Sequence, residues 1–247
     1  MKRSLRTALT LLAASCLAPA SVSAAPHKAA AAKYDPHYLA GVWVQQERAP
    51  AYGKIIPYNK EYAAILQQHI DDIAAGHPFR HDKNVCLPRG IIGLMTTGSR
   101  IYPIEIFQTG QKELAINMET TGSFYRIHLD RGHKPKDEQY PHYFGDTIGH
   151  WEGNVLVVDS ITLGKMDSLD AQAPVSDSLH VVQKFHRTAY DTLEDQITME
   201  DPKAWAGPVT VTIHYKLDPA GELDEVVCDN EREIVSTTGK TNIVPNK

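Results

Sequence analysis

Apolar and polar residues alternate at every second position through most of this chain, in short runs separated by Gly, Pro, Asp or Asn. That period is the pattern of half-buried β-strands. It predicts a first strand over Tyr38–Gln46 and further strands over Ile101–Gln108, Glu113–Glu119, Ser123–Leu129, Asp146–Trp151, Val155–Ser160, Ser178–Arg187, Glu194–Glu200, Val209–Leu217 and Glu222–Cys228. Tight separators such as Thr109-Gly110-Gln111, Thr120-Thr121-Gly122, Glu152-Gly153-Asn154 and Asp218-Pro219-Ala220-Gly221 read as hairpin loops. With Gly153-Asn154 as the loop, Trp151 pairs with Leu156 and His150 with Val157.

One segment breaks the period. Between Asn59 and Ala75, Tyr62, Ile65, Leu66, Ile70 and Ile73 recur at three- and four-residue steps, with Asn59 placed to cap a helix and Gly76 to stop it. Consecutive hairpins after one N-terminal helix predict an all-β fold, an antiparallel up-and-down barrel that closes its own edges and can enclose a small ligand. RGIIGL and TTGSR read as turns, and Asp201–Trp205 as a short helical turn.

Residues 1–24 have a different character. Lys2, Arg3 and Arg6 precede an apolar run from Ala8 to Ala14, and Val22, Ser23 and Ala24 form a small-residue cleavage site. This layout predicts a secretory signal peptide, too short to span a membrane, with lipidation at Cys16 the alternative. Residues 25–37 follow as a flexible leader, and 38–247 as a single barrel domain, periplasmic or secreted.

Loss of three basic residues from the 25 leaves about −8 on the mature chain. Such a balance disfavours a nucleic-acid partner and points to a small molecule. Cys86 and Cys228 are the cysteines left after processing, and an oxidising compartment predicts a disulfide between them.

Chemistry concentrates between Arg126 and Asp159, where His128, His133, His142 and His150 make four of the chain's twelve histidines. Alternation puts Phe124, Arg126 and His128 on one face of their strand, continued by Asp130, with Tyr125, Ile127 and Leu129 on the other. Facing a barrel interior, Arg126 would hold a carboxylate or phenolate and His128 would move a proton; facing outward, the stripe is a solvated surface. His150 is a second acid/base candidate. Asp130 or Glu105 would orient a partner, with Glu105 placed to pair with Arg126, and Tyr102, His133 and Trp151 would complete the binding surface.

His77 and His81 are separated by Pro78 and read as loop residues; His180 and His186 share a solvated strand face. No metal ligand set is assigned, because HxH and HExxH are absent, as are GxSxG and the phosphate-cradling glycine motifs.

In CLPRG (Cys86–Gly90), YPIEI, RIHLDRGHKP (Arg126–Pro135), GDTIGHWEGNVLVVDS (Gly145–Ser160), SDSLHVV, EDP and VCDNE, the chain resembles a family of exported proteins of Gram-negative bacteria. The resemblance implies export and a lipocalin-like barrel. This chain departs from the family pattern at Asp146-Thr147, where HS is typical, and at Gln183-Lys184, where ER is typical. The functional expectation is a cofactor-free lyase, isomerase or cyclase acting on a small aromatic or carbonyl-bearing molecule. A non-enzymatic carrier is the alternative, and a His-ligated metal enzyme the second alternative.

Overall fold

In the computed structural model, the residues described are 33–76, 88, 90–96, 103–119, 124–164, 169, 172–224, 233–235 and 241–243. The predicted signal peptide, Tyr102, His77, His81, Cys86 and Cys228 lie outside them, as does the disulfide pairing.

Nine strands close a barrel in sequence order: β1 (Gly41–Gln45), β2 (Ile104–Gln108), β3 (Glu113–Met118), β4 (Phe124–His128), β5 (Asp146–Glu152), β6 (Val155–Ile161), β7 (His180–Ala189), β8 (Thr192–Glu200) and β9 (Val209–Asp218). A separate hairpin pairs β10 (Glu233–Val235) with β11 (Thr241–Ile243). The β5–β6 register is the one expected, Trp151↔Leu156 and His150↔Val157, and Gly153 supplies the positive φ its tight loop needs.

The closure departs from a strict up-and-down meander. Nine strands alternating in direction would leave β1 and β9 parallel, yet they pair antiparallel, Trp43 opposite Leu217. One neighbouring pair must therefore run parallel, and it is β4–β5, joined at His128↔Ile148. A parallel pair cannot be joined by a hairpin, so the chain travels back through residues 129–145 before β5 begins. That returning connection lies over the weakest seam of the wall.

Inward positions follow the alternation. On β9, Val209, Val211, Ile213 and Tyr215 are buried while Thr210, Thr212, His214 and Lys216 are exposed. Trp43 is fully buried and donates its indole N–H to the Leu39 carbonyl at 2.8 Å. The buried Arg187 guanidinium sits 5.4 Å from the Trp43 ring and donates to the carbonyls of Tyr38 and Tyr190.

Among the described residues, three helices lie in the long β1–β2 connection: α1 (Tyr52–Ile55), α2 (Lys60–Ala74) and α3 (Gly90–Thr96). α2 is the helix predicted, its N-terminus capped by the Asn59 side chain accepting from the Tyr62 amide at 3.0 Å. α3 replaces the turn expected at RGIIGL, since Gly90 and Gly93 interrupt a motif whose Ile91, Ile92 and Met95 are all buried. The inward Tyr215 hydroxyl donates to the Met95 carbonyl at 2.8 Å, which ties α3 to the barrel.

Candidate functional site

β4 settles which face points where. Tyr125 and Ile127 are buried, whereas Arg126 is 61% exposed and His128 partly so. The apolar face belongs to the core, and the polar stripe faces outward, away from the barrel interior considered for it above. It is not, however, an open solvated surface along its whole length. Residues 131–145 fold back beside it and enclose a crevice of about 180 Å³. That is roughly six water volumes.

Close approaches hold this seam together. Gly149 on β5 has no side chain because a Cβ there would lie 2.9 Å from Ile127 Cγ2. Gly145, at φ +65°, turns the connection into β5, and Thr162 opposite takes φ +59°, a strained value for a β-branched residue. Three hydrogen bonds hold Thr162: its hydroxyl oxygen accepts from the Asp146 amide at 3.1 Å and donates to the Ile161 carbonyl at 2.7 Å, and its carbonyl accepts from the His142 amide at 3.0 Å. Both residues line the crevice.

Asp146 organises the cationic side of the crevice. Its side chain is only 4% exposed; Oδ1 accepts from Arg131 Nη2 at 2.6 Å, and Oδ2 from the Lys134 amide at 2.8 Å and from His133 Nδ1 at 3.1 Å. Burial alone would raise its pKa, but these donors prevail and hold it at about 2. His133 continues the chain outward. Its Nε2 lies 3.5 Å from Asp159 Oδ1, which also meets His180 Nε2 at 2.7 Å. The His180 hydrogen bond lowers the Asp159 pKa, and the same bond raises that of His180.

Replacing Asp146 with Asn is expected to cost about 2 kcal/mol at pH 7. A carboxylate with a depressed folded-state pKa stabilises the fold above its unfolded value near pH 4 and loses that contribution as pH falls through about 2. Urea unfolding should therefore separate the variant from wild type at pH 7, with the gap closing towards pH 2. An equal gap at both pH values would contradict this.

Within the crevice, burial and then the neighbouring Arg131 charge lower the pKa of His128. Both effects favour the neutral imidazole, the form that acts as a base, and Arg126 and Arg131 line the same space. Phe124, Tyr140 and Phe144 supply apolar walls.

The other candidates lie elsewhere. His150 is 60% exposed and pairs with Glu152 at 3.0 Å near the hairpin tip, and Trp151 stacks edge-on against His37 at 4.7 Å. Asp130 is exposed and does not line the crevice. Glu105, on β2 opposite Val42 and Asn117, is not the partner of Arg126; that partner is Glu113, across the β3–β4 ladder at 3.6 Å. Arg131, Lys134 and Tyr140 were not anticipated, since residues 129–145 carry no periodicity to place them, and Asp146 was read only as the start of a strand. Among the described residues, no group of three or more His, Cys, Asp or Glu side chains is arranged to hold a metal ion.

A second polar feature runs through the barrel interior. Tyr125 donates to Gln183 Oε1 at 2.9 Å and lies 3.1 Å from the Ser160 hydroxyl, which accepts from Thr147 at 2.9 Å. At the other end Gln183 Nε2 donates to Asp195 Oδ2 at 2.8 Å. Burial pushes Asp195 up to about 7, and its Oδ1 has no partner among the described residues.

These features define the chain as a closed β-barrel protein with a polar, ring-lined crevice on its outer wall. No protein-family model matches the chain, and comparison with curated proteins found no match.

Proposed function

We propose that this is an exported barrel protein that takes a small, partly apolar molecule into the crevice and transfers a proton on it without a cofactor. The observation that carries this reading is the His128 imidazole set beside Arg126 and Arg131 in a partly enclosed, ring-lined space. In the reaction we assign, His128 removes a proton from carbon next to a carbonyl, which gives an enolate and an imidazolium. Arg126 stabilises the negative charge on oxygen, and the proton then returns to a different carbon or a leaving group departs. Isomerisation and elimination are the two outcomes.

A carrier function is the second reading, favoured by the exposure of Phe124 and Tyr140 at the crevice, which leaves it accessible to solvent. The two readings separate with enolisable aryl ketones and aryl keto acids, phenylpyruvate first, followed by NMR for deuterium uptake in D₂O. Wild type should accelerate exchange, His128→Gln should lose about 10²-fold, and His150→Ala should match wild type. Binding without exchange, unchanged by His128→Gln, would leave the carrier; no binding by any probe would overturn both.

A further inference from the structure

The proposed function leaves the ligand's charge and shape open, and the crevice carries information on both. Its lining holds three permanent cations, Arg126, Arg131 and Lys134, against two carboxylates, Asp146 and Glu138. Arg131 and Asp146 are consumed by each other at 2.6 Å. Arg126 meets Glu113 through Nε at 3.6 Å, a loose contact between exposed side chains, and its Nη nitrogens are in no ion pair among the described residues.

Lys134 is the informative cation. It is half-buried, and its ammonium sits 5.6 Å from the centroid of the Tyr140 ring, with no carboxylate within ion-pairing reach among the described residues. An ammonium over a ring face without a carboxylate partner favours an incoming anion. Glu113, just outside the lining, offsets Arg126, so Lys134 is the cation left to meet a single negative charge.

Two ring walls set the shape. Phe124 is 57% exposed and rests on Phe107 at 5.8 Å, while Tyr140, 55% exposed, rests on His142 at 4.3 Å. Deeper in, Phe144 stacks on the buried Tyr125 at 6.0 Å. Each ring is backed by another, so its orientation is supported, and each leaves surface for a flat partner. About 180 Å³ has room for one ring with a short substituent.

Resting on the crevice being the ligand site, we infer that its ligand is a single-ring aromatic monoanion, its acid group taken by Lys134 and Arg126 and its ring packed against Phe124 and Tyr140. The test compares benzoate, cyclohexanecarboxylate, acetate and benzyl alcohol by calorimetry on the full protein. Benzoate should bind best, Lys134→Gln should weaken it about tenfold or more, and Phe124→Leu should reduce its preference over cyclohexanecarboxylate several-fold. Equal affinity for cyclohexanecarboxylate overturns the aromatic assignment, and equal affinity for benzyl alcohol overturns the anionic one. In either case the crevice as a binding site survives. If none of the four binds while an uncharged aryl ketone does, this inference fails alone; if nothing binds, the proposed function fails with it.

Discussion

Asp195→Asn should remove most of a stability loss that wild type suffers between pH 4 and pH 7. The Asp195 carboxyl is fully buried, accepts one hydrogen bond from Gln183, and has its other oxygen unpartnered among the described residues. Burial raises its pKa to about 7, against an unfolded value near 4. The native state therefore keeps a proton that the unfolded state releases through this window, and stability falls as pH rises. The full loss is about 4 kcal/mol above pH 7. It lies in a different window from the Asp146 contribution, which disappears below pH 4. Urea unfolding at half-unit pH steps reads both directly. A wild-type stability that is flat or rising from pH 4 to pH 7, with the variant no different, would show that Asp195 is not held neutral.

The second large effect is expected at Gly145. Its φ of +65° already disfavours any side chain, and a Cβ there would lie 2.2 Å from the Ile161 carbonyl oxygen, a backbone atom in the facing strand. Relief requires the β5–β6 pair to shift at its first rung, Asp146 opposite Ile161. Gly145→Ala is expected to cost about 3 to 5 kcal/mol and to disturb the Asp146 network that shapes the crevice. Gly153→Ala is the matched control. It has a similar φ of +58°, but nothing lies within 4 Å of the added Cβ, so about 1 to 2 kcal/mol is expected. Similar losses in the two variants would mean that backbone conformation alone, and not the close approach to Ile161, makes Gly145 necessary.

Alternation made the strands legible, and the Asn59 cap and Gly76 stop made α2 legible, because those signals act within a few residues. Orientation was harder to read. In β4 the face carrying Arg126 and His128 also carries Phe124, and period two gives two faces without saying which meets the core. The buried pair Tyr125 and Ile127 shows that apolar content decided it, as burial energetics requires.

The same rule concealed the interior polar chain. Asp195 shares its face with Leu193, Ile197 and Met199, and only its tertiary partner Gln183 explains its place there. The crevice was least legible, since Arg131 and Lys134 sit on a connection without a repeating pattern and its geometry depends on one parallel pairing. Asp146 is the residue that assembles it.

The central claim is that the crevice beside β4, holding His128, is where this protein meets its small molecule. Histidine Cε1–H signals, assigned with single His→Gln variants, report that location during a titration with benzoate. Saturable shifts of His128 and His142 at a common affinity are expected, with His150 and His186 unmoved. Saturable binding that shifts His150 or His186 and leaves His128 and His142 in place would contradict it.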